Sequence, residues 1–123
     1  MAEHNDFGQL AEKLATEFLT TKGFEIIARN YRYNHAEIDI IAENKELIII
    51  VEVKARSYNT IIPPEEAVNQ LKIKSIVKAA DAFLKQNPTD KEVRFDIITV
   101  LPDHQGNLQI THLEDAFESF ESN

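Results

Sequence analysis

The 123-residue sequence has no cysteine, no tryptophan, one methionine, three glycines and four prolines. Without cysteine there is no disulfide scaffold and no thiolate metal site. Long apolar runs are missing too: the longest, residues 47–51, is far too short to span a bilayer. The opening residues, MAEHND, are polar, and no basic start leads into an apolar stretch, so no secretory signal is expected. Glycine-rich phosphate loops, serine-triad signatures and dinucleotide fingerprints do not occur. What remains is the expectation of a soluble, cytoplasmic protein with no membrane partner, and with residues 1–123 forming one domain.

Apolar residues make up 43% and charged residues 28%, a globular balance. The net charge of −8 argues against a surface that grips nucleic acid everywhere, because affinity for phosphates comes mainly from Lys and Arg. The charge is unevenly spread. Residues 1–52 carry 5 basic and 10 acidic side chains, residues 53–85 carry 6 and 3, and residues 86–123 carry 2 and 8. A basic island therefore interrupts an acidic chain. Beside a carboxylate cluster, such an island suits an anionic substrate held through a metal ion; by itself it also describes a solvated helix face.

Periodicity predicts the element order α-β-β-β-α-β-β-α. A first helix over residues 7–22 follows from the stripe Phe7, Leu10, Ala11, Leu14 and Phe18, with Gly23 as a left-handed cap and Phe24 as its apolar partner. Three strands follow, over residues 24–33, 36–42 and 47–54, joined as an antiparallel meander. The third reads LIIIVEVK, a run suited to a central strand covered on both faces. A loop over 57–64 leads to a helix starting at Pro64 and running to about Gln86, with Ile73, Ile76, Val77, Ala80, Phe83 and Leu84 inward and Leu71 off the stripe. Strands over 92–101 and 108–112 precede a short closing helix marked by Leu113, Ala116, Phe117 and Phe120.

The chemistry is concentrated in Glu37-Ile38-Asp39 and Glu52-Val53-Lys54. If the four-residue turn 43–46 closes the hairpin, Ala42 opposes Leu47, Asp39 faces Ile50 and Glu37 faces Glu52. All four charged groups then share one face; a one-residue slip would separate Asp39 from Glu52. Three carboxylates and an ammonium on one face are costly unless solvated or bound to something. A divalent cation resolves the repulsion, and oxygen-rich donors suit Mg2+ or Mn2+. Lys54 would lie beside the metal, and Glu12, at the edge of the first helix's stripe, would add a ligand. On spacing alone, alternating acids and lysines on a hairpin ordinarily make a wet face.

Several segments together resemble a known family: Gly8-Gln9-Leu10-Ala11-Glu12, Arg29-Asn30-Tyr31-Arg32, Glu37-Ile38-Asp39-Ile40-Ile41, Val51-Glu52-Val53-Lys54-Ala55-Arg56, Glu66-Ala67-Val68 followed by Lys72, and Arg94-Phe95-Asp96. In this order they resemble the small bacterial YraN-type family, itself similar to Holliday junction resolvases of the PD-(D/E)xK nuclease superfamily. The resemblance covers about residues 7–100. It implies a restriction-endonuclease-like α/β/α core with a mixed sheet, and it places Glu12, Asp39, Glu52 and Lys54 on catalytic positions, the three acids as metal ligands. Two departures stand out. Ala36 occupies a place where the family usually has glycine, and Thr60-Ile61-Ile62-Pro63 replaces a usual Phe-Gly.

Arg56, Lys72 and Arg32 are the candidate substrate contacts, positioning a phosphate backbone without reading sequence. Arg29 is an edge charge or a phosphate contact. Lys74 and Lys78 read as ordinary solubilising residues ahead of phosphate contacts, Arg94 and Asp96 as a structural ion pair, and the four histidines show no metal spacing. The expected function is metal-dependent hydrolysis of phosphodiesters in nucleic acid, DNA in first place, on branched or otherwise structured substrates. The alternatives are a non-catalytic binding module on the same fold, or a partner in a protein complex. A homodimer would suit junction cutting, with Ile61-Ile62 as an apolar contact.

Overall fold

Ala11, Ala15 and Leu19 recur every fourth residue, which lays one small-residue seam along a helix and lets it sit close to a sheet. In the computed structural model, which describes residues 6–56 and 70–117, that helix is α1 (Asp6–Thr21) and all three residues are fully buried. Leu10, expected on the stripe, is exposed at its margin. The helix stops at Gly23, whose φ of 98° only glycine adopts without strain. Gly23 N–H bonds the Thr20 carbonyl and Phe24 N–H bonds that of Leu19, a doubly closed cap that tucks Phe24 into the core.

The strands are β1 (Glu25–Tyr33), β2 (Ala36–Glu43), β3 (Leu47–Ala55), β4 (Glu92–Pro102) and β5 (Leu108–Phe117), with α2 (Gln70–Gln86) between β3 and β4. They form one sheet in the order β1-β2-β3-β4-β5. Only β3 and β4 run parallel; every other neighbouring pair is antiparallel. The α2 crossover is what a parallel pair requires. β3 is central and its run is apolar because both faces are covered. Ile49 and Val51 pack with α1, while Ile48 and Ile50 pack with Ile73, Ile76 and Phe83 of α2. This is the three-layer α/β/α architecture with a mixed sheet. Each isoleucine so buried contributes about 1.5–3 kcal/mol of apolar transfer energy.

The order agrees with expectation through β5 and departs after it. Residues 113–117 belong to β5 and not to a closing helix. Ile97 pairs with Leu113 and Phe95 with Phe117, so residues 114–116 bulge out opposite Asp96 alone. Asp115 takes a φ of 55° to make the bulge, and Leu113, Ala116 and Phe117 all pack towards α2. A bulge thus imitates helical spacing. Fully buried Asp96 fastens it: Arg94 donates twice at 2.9 and 3.0 Å, Asp115 N–H donates at 3.0 Å, and His112 Nε2 lies 2.8 Å away. The expected structural pair Arg94–Asp96 is therefore part of a larger hub. The 57–64 loop, the Pro64 helix start and the Ile61-Ile62 contact lie outside the described residues.

Candidate active site

The β2–β3 hairpin closes more tightly than expected. Asn44 N–H bonds the Leu47 carbonyl, and the Asn44 side chain accepts from the N–H groups of Glu46 and Leu47. The strand register therefore moves by two residues from the expected one: Ala42 pairs with Ile49 and Ile40 with Val51. A two-residue shift keeps every side chain on its face. The next step in this register sets Asp39 across from Glu52, closer than the sequence alone suggested.

At that step the regular ladder ends. Ile38 packs towards α2 while Ile40 packs towards α1, although two residues apart they should share a face. The pleat is reset across Asp39. In β1 the matching position is Asn30, flanked by pairs Arg29–Ile40 and Tyr31–Ile38, and its φ of 53° makes the turn. Asp39 is thereby delivered to the gap where β2 and β3 part, and its Oδ2 accepts the Val53 N–H at 2.7 Å.

Around this gap the charges are dense. Glu52, only 5% exposed, holds two ammoniums on one oxygen: Lys54 Nζ at 3.0 Å and Lys72 Nζ at 2.7 Å from Oε2. Burial, then the charge of Glu52, push the Asp39 carboxyl up to about 8; Glu12 adds to this, while the Val53 N–H and Lys72 oppose it. Burial holds Lys54 below the ordinary lysine value despite Glu52. Burial also presses on Lys72, but Glu52 and its hydrogen bond outweigh this and leave Lys72 raised.

Not every candidate joins the cluster. Glu37 leaves it, lying 3.9 Å from Arg32 across the β1–β2 pair, so the expectation of four charged groups on one face is corrected to three. The pleat reset at Asp39 is the cause. Arg32 stands with Glu37 at the exposed rim rather than over Asp39. Glu12 comes close enough to act on Asp39 but has Arg29 at 3.8 Å. Lys72, read as a phosphate contact, lies on Glu52. Arg56 follows β3, its N–H bonded to the Val100 carbonyl; its Nε is buried without a hydrogen-bond partner among the described residues.

Thr99 was not anticipated. It pairs with Lys54 in the parallel β3–β4 register, is 1% exposed, and its hydroxyl finds no partner among the described residues. A threonine inside the apolar stretch FDIITV was the only signal. An unsatisfied buried hydroxyl beside a lysine is where a water or a substrate oxygen would be held.

Three carboxylates with no soft donor suit a hard divalent cation in chemistry. In geometry, no three acidic or imidazole groups among the described residues stand close enough to enclose one ion. Asp39 and Glu52 supply the adjacent pair, and the Lys72 ammonium takes the charge-balancing place at Glu52.

The family model described as "Uncharacterised protein family UPF0102" matches residues 11–100. A UPF0102 protein of Bacteroides thetaiotaomicron is 47% identical over 95% of this chain and 96% of its own. One of Flavobacterium psychrophilum is 44% identical over 98% of this chain and 100% of its own. Among solved structures, SfsA of Pyrococcus furiosus in complex with Ca2+ aligns with a TM-score of 0.47 and 13% identity. That alignment covers 86% of this chain and 63% of the other, and is too distant to carry an argument. No described helix is long and apolar enough to cross a membrane.

Proposed function

Since this chain belongs to the family UPF0102, and its charged centre is built from the segments that resemble a nuclease core, we propose that it is a metal-dependent nuclease. Its substrate would be the phosphodiester backbone of nucleic acid, DNA in the first instance, in branched or otherwise structured form. The observation that supports this most is half-buried Asp39 beside buried Glu52, with Lys54 two residues on and bonded to Glu52. Such a concentration of titratable groups works against stability and is characteristic of sites that do chemistry.

Asp39 and Glu52 are the pair that would hold Mg2+ or Mn2+, which when bound supplies water activation and charge neutralisation at phosphorus; Glu12, with Arg29 at 3.8 Å, does not complete a three-acid cage with them. The protein's own groups have separable roles. Lys54, kept partly desolvated, faces the developing negative charge on the phosphoryl oxygens. Thr99 and Arg56 offer donors on the same side of the sheet. Val53 N–H fixes the Asp39 carboxylate in one orientation.

The test is cleavage of labelled junction, flap, duplex and single-stranded DNA with Mg2+ or Mn2+. Lys54→Ala and Asp39→Ala should each abolish the activity. Cleavage surviving both changes would remove Asp39 and Lys54 from the chemistry. A second reading, a binding module without catalysis, draws on the two ammoniums already seated on Glu52. It requires metal-independent, steeply salt-dependent binding with no product from any of these substrates.

A further inference from the structure

Away from Asp39 and Glu52, a second feature faces solvent where the β1–β2 turn meets the last turns of α2. Tyr33 and Asn34 form one wall of an open groove of about 520 Å³, and Lys78, Asp81, Ala82, Lys85 and Gln86 form the other. The elements that carry the two walls are tied together, because Tyr31 of β1 packs edge-on against Phe83 of α2 at 5.3 Å between ring centres. Asn34 turns the chain with a φ of 56°, and Tyr33 is left 42% exposed, one of three large apolar side chains so exposed among the described residues.

The charge of this groove opposes that of the chain. α2 carries Lys72, Lys74, Lys78 and Lys85 against a single acid, Asp81, in a protein of net charge −8. Asp81 is paired with Lys85 at 3.1 Å, and Lys78 has no ion-pair partner among the described residues. Lys78 and Lys85 are seven residues apart, two helical turns, and so lie on one side of α2. Lys78 lies six residues beyond Lys72, about 9 Å along the helix axis and about 120° round it. A strand leaving the centre at Glu52 would reach it within a few nucleotides.

We propose that this groove holds a single-stranded flank of the nucleic acid, a base stacking on Tyr33 and phosphates passing Lys78 and Lys85. An exposed aromatic ring beside lysines is what sequence-tolerant single-strand binding uses, since every base has a π-face and every linkage a charge. The groove suits an unpaired strand better than a duplex, because a base inside a helix cannot reach the ring. The inference rests on the reading of the chain as acting on nucleic acid and adds the surface that holds the strand.

The experiment is fluorescence anisotropy of labelled oligo-dT with the full chain in EDTA, so that nothing is cut. Wild type is compared with Tyr33→Ala, Tyr33→Phe and Lys78→Gln. Tyr33→Ala and Lys78→Gln should each weaken binding about tenfold, and Tyr33→Phe should retain it. Lys78→Gln should also flatten the dependence of log affinity on log salt by about one unit. Unchanged affinity in both weakened variants, with circular dichroism confirming their fold, would overturn the groove as the site. So would equal competition by polyglutamate, which would assign it to acidic peptides. If wild type cuts DNA while these variants bind normally, the groove fails and the nuclease stands. If binding maps to Tyr33 and Lys78 but nothing is cut, the groove stands and the nuclease fails.

Discussion

The Asp39 carboxylate accepts the Val53 backbone N–H at 2.7 Å, in the place where a strand neighbour's carbonyl would ordinarily sit. One side chain thus closes the gap between β2 and β3 while standing across from Glu52. Its two duties, structural and electrostatic, are separable by substitution.

Asp39→Asn keeps a carbonyl to accept the Val53 N–H and removes the group whose ionisation burial, Glu52 and Glu12 oppose. We expect its stability to equal or exceed wild type. Asp39→Ala strands the N–H in a half-buried place and should lose about 1–3 kcal/mol. Denaturant titration separates the two, and cation-dependent cleavage should vanish in both. A destabilised Asp39→Asn would show that the carboxylate's charge supports the fold.

Lys72→Met removes one of the two ammoniums on Glu52 Oε2 while keeping the aliphatic stem. If Lys72 occupies the charge-balancing place of a cation, Mn2+ affinity should rise about threefold to tenfold in calorimetry. Unchanged or weaker Mn2+ binding would mean that Lys72 and the ion do not compete.

The Asp96 hub sets a pH dependence. Burial tends to raise this carboxyl, but the bonds from His112, Arg94 and Asp115 N–H together hold it below its ordinary value. An acid depressed in the folded state contributes stability that is fully present above its unfolded value of about 3.9 and is lost as pH falls through the folded value. Asp96→Asn should therefore cost about 1.5–3 kcal/mol near neutrality, because Arg94 loses its two charge-assisted bonds and keeps only Glu114, 3.8 Å away, as an acidic partner. The gap to wild type should narrow below about pH 4. Urea unfolding of both proteins across that range checks the sign; a gap that widens in acid would refute the assignment.

Asn30 turns β1 with a φ of 53° at the position facing Asp39. Asn30→Gly should fold with little change, whereas Asn30→Val should lose about 1–2 kcal/mol from backbone strain. If the pleat reset is what aims Asp39, Asn30→Val should also lower cleavage in the fraction that remains folded. Full activity in that fraction would free Asp39 from any dependence on β1.

The elements were legible wherever periodicity and caps agreed: α1 with its Gly23 stop, the β1–β3 meander, and the inward stripe of α2 with Leu71 left outside. The closeness of Asp39, Glu52 and Lys54 was legible because strand alternation survives a two-residue register error. Glu37 was misplaced because alternation presumes an unbroken pleat, and positive φ at Asn30 is invisible in an asparagine codable for either conformation. Residues 113–117 were misread because a bulge places Leu113, Ala116 and Phe117 on one side, as a helix would. Lys72's hold on Glu52 joins segments twenty residues apart, and local pattern carries no such distance. Thr99 gave only its presence in an apolar run.

Glu12, Asp39, Glu52 and Lys72 reach their positions from a helix, two strands and a second helix on the opposite layer. No subset of these segments brings them together. A nascent chain still emerging from the ribosome therefore lacks the Lys72 ammonium on Glu52 until α2 has docked. Until then the Glu52 carboxylate is balanced by Lys54 alone.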